Sequence, residues 1–169
     1  MIRSTTYSLV ALSLLLHAAI FGFFYAWVCS TMWGLDAADP RIAIQAMQAM
    51  NASVRNAVFA PAFFGTPIIS FLVAGLLYGQ GVKRSAALFG AAGVTYLLLG
   101  AVLTMTINVP MNEALAQVRV PDDLETARTI WEEYSKPWQF WNITRTITSA
   151  AAFLLAFLGC FTLQSAKRA

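Results

Sequence analysis

Long uncharged stretches alternate with short polar segments along this chain. No Asp, Glu, Lys or Arg stands between Arg3 and Asp36, Arg55 and Lys83, Arg84 and Glu113, or Arg145 and Lys167. The pattern predicts four apolar helices near 7–32, 58–80, 85–107 and 139–163. Each reaches the roughly 20 residues needed to cross about 30 Å of hydrocarbon at about 1.5 Å per residue. The first apolar stretch is too long for the core of a secretory signal and no A-x-A site follows it, so it reads as a retained helix.

Both longer polar segments have a helical period of their own. Asp39-Pro40 is a helix start, with an acid at the N-cap and proline in the first turn. Ala43, Met47, Met50 and Val54 then recur at i, i+4, i+7 and i+11, opposite Gln45, Gln48, Ala52 and Arg55. This amphipathic helix has two readings: it rests on the rim of the bundle, or it is a lid that turns Asn51 and Arg55 toward a pocket. In the second segment, Pro121-Asp122-Asp123 opens a stripe of Leu124, Ala127, Trp131, Tyr134, Trp138, Trp141 and Arg145 at spacings of three and four. Pro137 is expected to kink or break that helix near Lys136, leaving its upper part separate. The stripe's aromatics suit the headgroup belt of a membrane protein. The predicted architecture is therefore all-α: a single domain over 1–169, a membrane-embedded four-helix bundle with short amphipathic helices in the two extracytoplasmic loops.

Composition agrees, with 59% hydrophobic and 11% charged residues against roughly 25% charged in soluble domains. A net charge of +3 gives a nucleic-acid partner no support. The placement of charge says more. Arg3, Lys83, Arg84, Lys167 and Arg168 fall on one side of the predicted bundle, and all 8 acidic residues on the other. Under the positive-inside rule the termini are cytoplasmic and the long loops extracytoplasmic. Small size without targeting extensions points to a bacterial inner membrane.

Candidate chemistry gathers at the extracytoplasmic end. Arg145 falls roughly 6–9 Å below the start of the fourth span, on one face with Trp138, Trp141 and Asn142. A cation at that depth marks a site or a paired network, unless it snorkels to the headgroups. Glu113, at the end of the third span, is its natural partner. Thr104, Asn108 and Asn112 follow at i, i+4 and i+8, and Pro110 distorts the helix between the amides. Backbone groups freed there need partners, which Asn142, Arg145 and Thr148 are placed to supply. Interhelical glue and ligand site both fit these residues. His17 reads as a packed, hydrogen-bonded histidine or as a proton-transfer group. It has no companions for a metal site, and P-loop, GxGxxG and Ser-His-Asp patterns are missing. Cys29 and Cys160 lie at opposite depths and read as packing residues that do not pair. Gly75 and Gly79 form a GxxxG, and Ala86, Ala87, Gly90, Ala91 and Gly93 make the third span small-sided, as in a compact bundle.

Three strings carry a resemblance: Asn108-Val-Pro-Met-Asn112, Trp138-x-x-Trp141-Asn142-x-x-Arg145, and Ala46-Met-Gln-Ala-Met-Asn51. Over nearly its whole length the chain resembles the anthrone oxygenase-like family of small four-helix membrane proteins. The resemblance implies an oxygenase acting on an aromatic substrate with no redox cofactor, because an anthrone enolate itself reduces dioxygen. It implies an apolar slot lined by Trp138 and Trp141, with Asn142 and Asn51 as further substrate contacts. Arg145, Asn108, Asn112 and Asn142 would hold the oxygen. Glu113, if buried, would be the base, with His17 as the alternative in a long pocket. The implied partners are membrane lipid and a small aromatic or apolar ligand. The competing reading is a non-enzymatic accessory or small-molecule-binding subunit, whose aromatic stripe docks a membrane-protein partner or a second copy. A transporter comes third, since four spans show no carboxylate relay.

Overall fold

The computed structural model describes residues 4–165, with side chains through Leu163. Arg3, Lys167 and Arg168, on which the predicted orientation partly rests, lie outside them. Five helices follow in order: α1 (Ser4–Ala37), α2 (Pro40–Ser53), α3 (Phe59–Gly79), α4 (Lys83–Ala116) and α5 (Leu124–Ser165), with no strand among the described residues. α1, α3, α4 and α5 are the four helices long and apolar enough to cross a membrane.

These four form a ring in chain order, each packed on its antiparallel neighbours, with α5 closing on α1. Their apolar residues divide by face. Ile20, Phe24, Val73, Phe89, Tyr96 and Ala156 are buried, whereas Leu15, Ile68, Leu98 and Leu154 face outward, as lipid requires. Aromatic rings pack into the space left by glycine at Gly93, where an added Cβ would stand 2.9 Å from the Phe71 ring, and at Gly159, 2.9 Å from Phe89. Gly75 and Gly79 would meet nothing within 4 Å, so the GxxxG of α3 is not a close-packing seam within the chain. The tight α3–α4 turn depends on Gly81, at φ +80. Its N–H donates to Tyr78 O at 3.0 Å while Val82 N–H reaches Leu77 O at 2.9 Å, a Schellman closure that favours glycine.

α1 and α4 are each 34 residues long and α5 is 42, so they extend about 50 and 60 Å, well beyond a hydrocarbon core of about 30 Å. Their protruding ends and α2 enclose a second core of Met32, Ile44, Met47, Leu115, Trp131, Tyr134 and Trp138. Asp36 ties α1 to α5 by accepting from Trp131 Nε1 at 2.9 Å, Ser135 Oγ at 2.7 Å and Gln139 Nε2 at 2.8 Å. At the start of α2, Asp39 Oδ1 accepts from Arg41 N–H at 2.9 Å, capping the helix as predicted. The Arg41 side chain also bonds that carboxylate and holds its pKa down at about 2.

α2 packs its inner face on the bundle: Ala43, Ile44 and Met47 are fully buried, Met50 packs on the same core, and Asn51 is buried beside them. One detail differs from the sequence reading: the second outer helix is not separate, because α5 runs unbroken through Pro137. Trp131, Tyr134 and Trp138 turn into the upper core, so they form neither a headgroup belt nor a docking stripe. Trp33 and Tyr78 are exposed near the ends of α1 and α3.

Wide turns interrupt two of the long helices: π geometry occurs at Trp27–Thr31 in α1 and at Leu97–Val102 and Thr104–Asn108 in α4. Such turns are common beside functional sites. α3 contains Pro67, which has no N–H for the carbonyl of Phe63. The buried Tyr96 hydroxyl donates to that carbonyl at 3.1 Å.

Candidate functional site

α3 packs along the inner half of α4 and parts from its outer half. The gap forms a cavity of about 580 Å³ beneath α2, walled by Phe23, Phe24, Trp27, Phe59, Phe63 and Trp138. Its polar lining is Asn51, Arg55, Asn56, Thr104, Asn112, Glu113 and Arg145. An apolar slot with a few convergent polar groups is the usual form of a small-molecule site.

Arg145 is the central group. It is 4% exposed and turned inward, not snorkelled toward the rim. Its Nε donates to Asn142 Oδ1 at 3.0 Å and its Nη1 to Thr104 Oγ1 at 3.2 Å. The guanidinium carbon lies 4.4 Å from the centroid of Phe24 and 5.1 Å from that of Trp138, so π faces replace part of the water it lost. Among the described residues no carboxylate forms an ion pair with it. Glu113, its expected partner, instead pairs with Arg55. The physical reason is level: Glu113 projects from α4 more than two turns beyond Thr104, at the cavity mouth, where its side chain is 51% exposed. The burial that was to make it a base is therefore missing.

Asn112 is fixed from above. Its Oδ1 accepts from the Tyr134 hydroxyl at 2.8 Å and from Trp138 Nε1 at 2.9 Å, while Asn51 Nδ2 donates to the same tyrosine at 3.4 Å. Two donors on one oxygen settle which way the amide points. Its nitrogen is left to serve the cavity. Asn51 and Arg55 both line that space, as the lid reading of α2 expected.

Three predicted site residues stand elsewhere. Trp141 is half-buried, packs edge-on to Phe140 at 5.1 Å and does not line the cavity, although Trp138 and Arg145 on the same stripe do. Asn142 orients Arg145 and donates from Nδ2 to Phe24 O at 3.3 Å, behind the cavity wall. Asn108 is fully buried with no hydrogen-bond partner for either side-chain atom. The π turn before it rotates it off the face shared by Thr104 and Asn112. α5 serves α4 elsewhere than expected: Thr148 Oγ1 donates to Leu99 O at 3.1 Å within a π turn, while Asn142 and Arg145 bond Phe24 O and Thr104 Oγ1 instead of backbone freed by Pro110.

His17 lies outside the cavity, its Nε2 2.9 Å from Ser70 Oγ, which in turn donates to Thr66 O at 2.8 Å. Cys29 and Cys160 are free thiols. No group of three His, Cys, Asp or Glu is placed to hold a metal among the described residues. Sequence reasoning missed Phe24, Trp27, Phe59 and Phe63, for which the only signal was aromatic clustering at the outer ends of α1 and α3.

A family model described as anthrone oxygenase matches residues 54–155. The match covers α3, α4 and most of α5, hence Arg145, Asn112, Glu113 and Trp138, and leaves out α1 and α2, which supply Phe24 and Asn51. No curated protein and no solved structure matches.

Proposed function

The chain belongs to the anthrone oxygenase family, and we propose that its cavity binds a flat, oxygenated aromatic as its enolate and exposes it to dioxygen. One observation carries this reading: a buried guanidinium without a carboxylate, aimed between aromatic faces into an apolar cavity. A buried cation lacking a counterion favours an anionic ligand, since that ligand supplies the missing charge. The carbonyl oxygen of an anthrone gains negative charge as its methylene loses a proton. Arg145 and the Asn112 amide are donors for that oxygen, stronger in a dry site than in water.

Glu113 is the carboxylate on the lining and takes the methylene proton although it is half-exposed, because Arg145 and Asn112 stabilise the enolate oxygen and so acidify the methylene. The enolate passes one electron to dioxygen and the radical pair combines at the former methylene carbon. Glu113 returns its proton to the peroxide. Loss of the remaining proton on that carbon then expels water and leaves the quinone carbonyl. The sum is anthrone plus dioxygen giving anthraquinone plus water. The ends of the bundle are assigned with the mouth extracytoplasmic and the Lys83-Arg84 turn cytoplasmic, supported by the segregation of charge.

Oxygen uptake with anthrone, measured on the purified protein in lipid nanodiscs, tests the reading. Uptake above the spontaneous rate should fall at least tenfold in both Arg145→Met and Asn112→Asp. Uptake no faster than protein-free nanodiscs would remove the oxygenase and leave a ligand-binding or accessory role.

A further inference from the structure

A second cavity adjoins the first. It measures about 480 Å³ and shares Phe23, Trp27, Met50, Val54, Asn56 and Phe59 with it. From this common wall it continues between α1 and α3 to Ala19 and Ala62. Ala19 stands eight positions before Trp27 on α1, about 12 Å deeper along the helix. Its polar members, Ser53 and Asn56, sit at the outer end, and the deep part is lined by Ala19, Ile20, Phe23, Phe59 and Ala62. Ala19 is exposed on the outer surface of the bundle, on a helix whose next turns inward also turn Leu15 and Leu12 outward. The cleft is thus an apolar trough running inward from the ring site along the lipid-facing side.

We propose that this trough holds an alkyl or prenyl chain borne by the substrate, so that the physiological ligand is an oxygenated aromatic ring with an apolar tail. The inference rests on the ring site described above. Three features support it. The trough begins where the ring site ends and shares six residues with it, so one molecule can occupy both. Its deep walls offer no hydrogen bond, so they select a hydrocarbon and reject a polar substituent. Among the larger residues of the deep end stand two alanines, Ala19 and Ala62, which leave room that a larger side chain would fill. Arg145 and Asn112 fix the oxygen of the ring, and the trough gives the rest of the molecule one direction to lie in.

A tail-bearing ligand also gathers in lipid, which raises apparent affinity with or without a trough. Plugged variants remove this ambiguity, because partitioning is the same for every protein compared. The probes are anthrone and an anthrone bearing an n-decyl chain, titrated against Trp27 and Trp138 fluorescence in nanodiscs. The proteins are the unaltered chain, Ala19→Phe and Ala62→Phe. Ala19 is exposed, so that variant should fold. Ala62 is half-buried, and the thermal midpoint of its variant checks folding.

Decyl-anthrone should bind at least tenfold more weakly to both plugged variants, with anthrone itself changed less than twofold. If the plugs weaken neither probe, or both equally, the tail assignment is overturned while the ring site stands, and a bilayer acyl chain is left as the occupant. Failure of both probes to bind the unaltered chain overturns the tail assignment and the ring site together.

Discussion

Trp138 serves Arg145 and Asn112 at once. Its ring centroid is 5.1 Å from the Arg145 guanidinium carbon, and its Nε1 donates to Asn112 Oδ1 at 2.9 Å. One indole therefore sets the relative positions of both donors proposed for the ligand oxygen. Trp138→Phe separates the two roles, keeping a π face and removing the N–H. Loss of one hydrogen bond is worth about 1 kcal/mol, so anthrone affinity should fall about fivefold in fluorescence titration. An unchanged affinity would mean that Tyr134 alone holds the amide.

Arg145→Met should divide function from stability. Replacing a buried charge by an apolar side chain of similar length is often neutral or stabilising, so the thermal midpoint in nanodiscs should hold or rise while ligand binding disappears. A large drop in midpoint would instead mark Arg145 as a structural strut between α1, α4 and α5.

Glu113→Gln is expected to leave the fold intact, because its pair with Arg55 is half-exposed and such pairs contribute little. If Glu113 takes the proton, kcat should fall about 10²-fold or more, with anthrone Kd nearly unchanged. The lost rate should return as the pH is raised to where the substrate ionises without help. A variant at full rate across neutral pH would assign the proton to solvent.

The Tyr96 hydroxyl answers a carbonyl that Pro67 leaves open. Tyr96→Phe strands the buried Phe63 oxygen at a cost of about 1–3 kcal/mol. Pro67→Ala restores an N–H to the same oxygen, so Tyr96→Phe should cost clearly less in that background. Denaturation of the four proteins of this cycle measures the coupling, and strict additivity would refute it.

Much of this was legible from charge spacing. The four spans, the Asp39-Pro40 cap and the inward Arg145 follow from residue type and depth, because lipid punishes an unpaired charge or open backbone wherever it occurs. Contacts between helices were harder to read. Glu113 and Arg145 lie on neighbouring helices but not at one level, and Trp141 differs from Asn142 by one position and about 100° around the helix. Asn108 was placed by counting α-helical turns, a period that fails where Thr104–Asn108 is wound wider. Phe24 and Phe63 look like any membrane phenylalanine until the fold brings them around a guanidinium.

The wide turns of α4 also set a phase. Each residue advances an α-helix by about 100°, so everything beyond Leu97–Val102 faces where it does because that turn contains more chain than a regular helix would use. Removing one residue there would leave the inner bundle untouched and turn Thr104, Asn112 and Leu115 about a quarter of the way around the axis. Asn112 would lose Tyr134, Arg145 would lose Thr104, and the upper core would lose Leu115. The inner bundle and the site above it are thus two bodies cut from the same helices, kept in step by a few residues of excess winding.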